Sequence, residues 1–249
     1  MQVSLVIPIK IYRWCRDKKR RFWDRWTRWP PLGAVDFGDL RRLTPVSRDF
    51  GLDRGRPIDR YYMENFLQKH QADIRGRVLE VGDAHYTRRF GGERVTQSDV
   101  LHVNLKKPDV TIVADLSRAD HLPADTFDCF ILTQTLQLIY EVREAVKTIY
   151  RILKPGGVLL ATFPGISQRA HPGYLERWQD HWRFTGASAQ KMFAETFPPQ
   201  NVEVQAHGNV LIAAAFLYGL AAEELRREEM DHHDPDYEVL LTVRAVKPA

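Results

Sequence analysis

Gly76-Arg-Val-Leu-Glu-Val-Gly-Asp83 sets an apolar run, a carboxylate at Glu80 and a glycine at Gly82 in immediate succession. This pattern reads as a buried strand that stops at an acid and a glycine-bearing turn. A second hydrophobic segment, Val95 to Val100, carries Asp99 nineteen residues after Glu80. Further on, Leu153-Lys-Pro-Gly-Gly-Val-Leu-Leu-Ala-Thr162 reads as a helix end, a Pro-Gly-Gly turn and another buried strand. That order suits the holding of a nucleotide-type cofactor. Strand ends supply a crevice, a glycine lets the backbone approach the ligand, and a following acid takes up ribose hydroxyls. Asp99, placed at the end of the second strand, is the ribose candidate. Its plainer alternative is a helix cap or turn aspartate.

The elements that must position these groups alternate along the chain. Asp59 to His70 has a helical pattern. Strands follow at Val78 to Val81, near Arg94 to Ser98, at Val110 to Ala114 and at Phe127 to Thr133. Glu141 to Leu153 carries apolar residues at helical spacing, and Val158 to Phe163 is a fifth strand. Asn201 to Gln205 and Tyr237 to Val246 read as late strands, with one amphipathic helix, Asn209 to Met230, between them. This alternation argues an α/β fold, an open parallel sheet covered by helices.

At 249 residues and 44% hydrophobic content, the chain can bury one substantial core. No apolar run approaches the roughly 20 residues that cross a bilayer, and no secretory cleavage pattern appears. Cys15 and Cys129 are far apart, which suits a reducing cytoplasm, and Cys129 reads as a core residue. The net charge of +4 is uneven: Lys10 to Trp29 carries nine basic and two acidic residues, so it is +7 and the remainder −3. Four of the six tryptophans lie there too. Such an arm can pack on its own domain or on a second subunit of a homo-oligomer. It can also lie on an anionic membrane surface, at the inner face of the membrane. Nucleic acid is the least favoured partner. Residues 1–56 are expected to form this arm and an irregular connector, and 57–249 the folded domain. His232-His233-Asp234-Pro235-Asp236 is too crowded for a ligand set, so no metal is expected.

Between strands one and five the chain resembles the class I S-adenosylmethionine-dependent methyltransferases. The resemblance runs from about Arg77 to Phe163. It rests on the strand-acid-glycine step, Ala114-Asp115-Leu116, Leu122-Pro123-x-x-x-Phe127-Asp128 and Leu153-Lys-Pro-Gly-Gly157. It implies a Rossmann-like, mostly parallel seven-stranded sheet with helices on both faces and the last strand antiparallel. It also implies S-adenosyl-L-methionine as cofactor. Asp115 would meet the adenine amino group and Leu116 would cover the ring. Gly82 and Asp83 would lie along the methionine end, Glu80 would hold turn amides, and Gln134 would border the sulfonium. The turn departs from the family pattern, since Ala84 and Tyr86 stand where glycines are usual, so a reshaped turn is expected.

Segments outside this core, Gly55-Arg-Pro-Ile-Asp-Arg-Tyr-Tyr62 among them, resemble a bacterial methyltransferase subgroup associated with glycosyltransferases and glycan assembly. The implied reaction is O-methylation of a sugar or glycan hydroxyl. A small metabolite or nitrogen acceptor is the rival reading, and a non-catalytic binding scaffold is another. Residues 164–185 form the expected acceptor loop, rich in aromatic and polar side chains that include Trp178 and Trp182. An alcohol acceptor wants a general base, and His171, Asp180 and His207 are the candidates.

Overall fold

The computed structural model describes residues 30–104, 109–170 and 179–249. The basic arm, Lys10 to Trp29, and His171, Tyr174 and Trp178 lie outside the described residues. The described residues divide into two units, 30–43 and 44–249. In the first, the Asp36 carboxylate accepts the Gly38 N–H at 2.8 Å and opens a single helical turn, Gly38–Leu40. The second unit includes residues 44–56, which the sequence assigns to the connector. There the Val46 N–H donates to the Tyr218 carbonyl at 2.8 Å, and Arg54 pairs with Glu224.

This larger unit is a seven-stranded sheet. Its strands are β1 (Gly76–Val81), β2 (Val95–His102), β3 (Ile112–Val113), β4 (Phe127–Thr133), β5 (Leu153–Pro164), β6 (Val202–His207) and β7 (Leu240–Val246). The order is β3-β2-β1-β4-β5-β7-β6. The first five strands pair in parallel, and β7 runs antiparallel between β5 and β6. The Rossmann-like architecture with an antiparallel last strand is therefore present.

Strand periodicity explains the two cores. In β4, Phe130 and Leu132 face one side while Cys129 and Ile131 face the other, as alternation on a pleated strand requires. The first side is covered by α2 (Val142–Ile152) and α3 (Gly186–Ala194). Helix α2 presents Val142, Ala145, Val146, Ile149 and Ile152, all buried, at helical spacing. The other side is covered by α1 (Ile58–Lys69) and α4 (Val210–Tyr218), which meet Val78, Leu160 and Leu240. Thr185 and Ser188 form a reciprocal capping box at the start of α3.

The helix expected from Asn209 to Met230 is broken. Asn209 caps α4 by accepting the Leu211 and Ile212 N–H groups at 3.0 and 3.1 Å. Gly219 then ends it at φ +70°, the left-handed geometry that glycine adopts cheaply. A separate short helix, α5 (Arg227–Asp231), follows.

The strand order reverses between β1 and β4, so their carboxyl ends border a crevice. In open α/β sheets this is where ligands bind.

Candidate active site

Two cavities open at these strand ends. One, of about 570 Å³, is lined by Gly82, Leu101, His102, Asp115, Leu116 and Tyr140, among others. The second, of about 500 Å³, is lined by Asp59, Arg60, Glu80, Asp83, Gln134 and Gln137, among others. Val81 and Leu138 line both. The cavities thus meet over the ends of β1 and β4.

The turn after β1 is built around a buried carboxylate. Glu80 accepts the Tyr86 N–H at 3.1 Å, and the Thr87 N–H and hydroxyl at 2.7 Å each. Burial pushes its carboxyl up to about 7, against the pull of those hydrogen bonds. Gly82 sits at φ +91°, and a side chain there would point into open space. Only glycine takes that backbone geometry without strain while leaving room for a ligand. Ala84 and Tyr86, at the usual glycine positions, are buried instead. The Tyr86 hydroxyl accepts from Arg60 at 2.8 Å, and its ring stacks on Phe90. Asp83 caps the turn by accepting the His85 N–H at 2.8 Å.

Across the first cavity, Asp115 accepts the Ser117 N–H at 2.9 Å and Leu116 is buried behind it. Both line that cavity, as does Gly82, and Glu80, Asp83 and Gln134 line its neighbour.

Asp99 is elsewhere. It lies inside β2, three residues before the strand ends at His102, and it lines neither cavity. Its carboxylate is 8% exposed and pairs with Arg77 at 2.7 Å. Gln97 and Thr111 donate to it at 3.2 and 3.1 Å. The expectation of Asp99 as a strand-end carboxylate is therefore corrected. His102 occupies the strand end and faces the cavity. The sequence reading missed it by ending β2 too early.

The acceptor-side candidates separate. Asp180 lines the second cavity but is gripped by both Arg183 guanidinium nitrogens, at 2.5 and 2.7 Å, and by the Ala170 N–H at 2.9 Å. Burial works against its charge, but Arg183 and Ala170 outweigh it and hold the carboxyl below the usual carboxylate range. A carboxylate so engaged is a poor proton acceptor.

His207 is corrected as well. In the sheet it lies level with Leu240 and hence with Pro164, but β7 stands between β6 and β5. Two strand spacings place it roughly 10 Å away along that row. Its ring stacks on Tyr62 and its Nε2 bonds the Thr242 hydroxyl at 3.0 Å. It lines a third cavity of about 270 Å³, with Phe66, Lys69 and Met230. Burial there pushes the imidazole down to about 4, with His233 and Lys69 adding to the shift. Trp182 is partly buried against the core and engaged by residues around the first cavity. Its indole N–H donates to the Ile139 carbonyl at 3.0 Å and its ring stacks on Tyr140.

Asp59 was not foreseen. It follows Pro57 at the start of α1 and faces the second cavity. Gln134 donates to its Oδ2 at 3.2 Å. Among the described residues, no group of three or more His, Cys, Asp or Glu side chains is placed to hold a metal ion.

This sheet order, with a glycine turn at the switch point, defines a Rossmann-like cofactor-binding domain. Residues 71–161, just over a third of the chain, match the family model described as a methyltransferase domain, and S-adenosylmethionine is the cofactor that this match indicates. Over 46 residues it is 48% identical to the ubiquinone/menaquinone biosynthesis C-methyltransferase UbiE of Haemophilus ducreyi. That stretch spans only 18% of this chain and 18% of the relative's own length. Among solved structures, a Listeria monocytogenes protein assigned to the S-adenosylmethionine-dependent methyltransferases is 11% identical, with a TM-score of 0.51 over 77% of this chain and 97% of that one. The [4+2]-cyclase SpnF is 18% identical, with a TM-score of 0.50 over 79% and 84% of the two chains. These likenesses establish the fold.

Proposed function

We propose that this protein transfers a methyl group from S-adenosylmethionine to a hydroxyl of a small polar acceptor, with a sugar or glycan as the acceptor class. The observation that carries the reading is the meeting of two cavities at Val81 and Leu138, over the ends of β1 and β4. When bound, the cofactor supplies a sulfonium methyl for in-line attack. The protein's part is to position and to stabilise charge.

In this reading the larger cavity takes the adenosine. Asp115 and Leu116 flank the adenine, and His102 takes the ribose place that Asp99 does not fill. The main chain at Gly82 passes the methionine end toward Asp83 and Gln134. Glu80 holds the Tyr86 and Thr87 amides and so fixes the turn. The second cavity receives the acceptor. Its polar lining suits hydroxyls, and the resemblance of Gly55–Tyr62 to glycan-associated methyltransferases supports a carbohydrate. A nitrogen acceptor is the second reading, favoured by the carboxylates of Asp59, Glu80 and Asp83 in the same cavity.

The arm at Lys10 to Trp29 would bring the enzyme to an anionic membrane surface, consistent with a glycan acceptor carried there. No helix among the described residues is long and apolar enough to cross a membrane.

The test is transfer of labelled methyl from S-adenosylmethionine to a panel of free hexoses and a matching panel of alkylamines. Label in the hexoses is expected. Label in the amines alone would replace the hydroxyl reading by the nitrogen one. Label in neither, by a protein that binds the cofactor, would contradict both.

A further inference from the structure

The acceptor cavity is lined by two residues that each carry a buried oxygen atom with no hydrogen-bond donor among the described residues. One is Oδ1 of Asp59 and the other is Oε1 of Gln137. A buried acceptor left unpaired costs about 1–3 kcal/mol, and folded proteins rarely keep one without a reason. Neither can be relieved by a simple rotation. The Gln137 amide nitrogen donates to the Gln134 carbonyl at 2.9 Å, and a flip would set oxygen against oxygen. The Asp59 carboxylate is fixed through Oδ2 by the Gln134 side chain at 3.2 Å.

Gln134 ties both residues and is itself strained. It sits at φ +47°, and its N–H donates to the Thr162 carbonyl at 2.8 Å. Left-handed backbone at a long side chain costs about 1–2 kcal/mol and is kept where the surroundings enforce it. A strained residue just past β4 therefore hydrogen-bonds both of the residues that carry these oxygens, and all three line the same cavity.

We infer that these atoms are the acceptor-recognition site: Asp59 Oδ1 receives the hydrogen of the hydroxyl to be methylated, and Gln137 Oε1 receives that of a neighbouring hydroxyl. The substrate class is an acceptor with adjacent hydroxyls, as on a pyranose ring. The inference rests on the hydroxyl reading above.

In the reaction the acceptor oxygen forms the new C–O bond with a lone pair. The S–C bond breaks and leaves its electron pair on sulfur. The hydroxyl proton passes to Oδ1, which becomes the acid and later returns the proton to water. Burial raises the Asp59 carboxyl, while the Arg60 charge, nearby main-chain N–H groups and the Gln134 amide oppose the rise. A raised carboxyl is better matched to proton transfer near neutrality. The other described carboxylates of the cavity are engaged: Asp180 by Arg183, Glu80 by the turn amides and Asp83 by His85.

The experiment compares wild type, Asp59→Asn and Gln137→Leu. S-adenosylmethionine affinity is read by calorimetry, and methyl transfer is followed to free hexoses and their deoxy analogues. Asp59→Asn should keep cofactor affinity within about twofold and lose about 100-fold or more in turnover. Gln137→Leu should raise KM for hexoses but not for the deoxy analogue that lacks the neighbouring hydroxyl. If Asp59→Asn does not fold, Asp59→Ser should show the same loss of turnover. Equal turnover of wild type and the Asp59 variant overturns the inference alone. A loss of cofactor affinity of about tenfold, roughly 1.4 kcal/mol, also overturns it, because Asp59 would then hold the cofactor's ammonium. A wild type that binds the cofactor and methylates no hexose overturns the hydroxyl reading, and the inference falls with it.

Discussion

Replacing Asp99 by alanine separates a structural carboxylate from a ribose-binding one. Three donors converge on this side chain: Arg77 at 2.7 Å, Gln97 at 3.2 Å and Thr111 at 3.1 Å. The carboxylate is 8% exposed while Arg77 is 34% exposed, so the pair is only partly shielded from water. Breaking a fully buried pair by removing one partner costs about 3–5 kcal/mol. Here Arg77 can turn partly into solvent, and about 2–3 kcal/mol is the expected loss. For a domain of this size each kcal/mol lowers Tm by about 2–4 °C, so the melt should fall by about 5–10 °C. Calorimetry with S-adenosylmethionine, run well below that melt, should give an affinity within about twofold of wild type. Such a twofold change is under 0.5 kcal/mol, roughly. A variant that melts like wild type but binds the cofactor tenfold or more weakly (about 1.4 kcal/mol) would refute this reasoning and return Asp99 to the ribose.

Other outcomes follow from the same geometry. The Glu80 carboxyl lies at about 7 in the fold, above its ordinary 4.5. The native state therefore binds a proton that the unfolded chain has released, and stability should fall as pH rises from about 4.5 to about 7, by up to roughly 3 kcal/mol. Denaturant titrations across that range should show the slope, and Glu80→Gln should lack it while losing stability through its mismatched turn amides. His207 has the opposite sign: its folded value of about 4 lies below the ordinary 6.5, so its contribution is complete above 6.5 and is lost as pH falls toward 4. His207→Gln should flatten that acid limb and leave methyl transfer unchanged; a large drop in turnover would place His207 back at the acceptor. Gly82→Val should cost about 1–2 kcal/mol through its left-handed backbone and abolish cofactor binding seen by calorimetry, since its side chain would enter the cavity; unaltered binding would mean the methionine end passes elsewhere.

The strands that carry the crevice were legible because their signals are local. Cys129 to Leu132 is a continuous apolar run buried on both faces, and the Glu141 to Leu153 pattern repeats at helical spacing. Gly82 was legible for the same reason, as the residue that ends an apolar strand. What failed depended on geometry that residue types do not encode. Residue types alone make Asp99 a strand-end acid, whereas the run of β2 on to His102 and the donors Arg77, Gln97 and Thr111 show it to be interior. The break after Tyr218 hinges on Gly219 adopting φ +70° within an otherwise helical composition. His207 was assigned to the acceptor because β7 could not be placed between β5 and β6 from spacing alone. Asp59 stood inside a quoted segment, after Pro57, yet its importance depends on Gln134, seventy-five residues away. Ala84 and Tyr86 were visible as departures, and their burial shows how the turn keeps its shape without the usual glycines.

The most direct measurement is a crystal structure of the protein with S-adenosylhomocysteine. The account predicts the adenine between Asp115 and Leu116, the ribose at His102, and the main chain of Gly82 against the amino acid portion. The sulfur should lie near Val81 and Leu138 and face the cavity of Asp59 and Gln137. Adenosine bound at Asp99, or a ligand seated in the cavity beside His207 with the crevice between β1 and β4 empty, would contradict it.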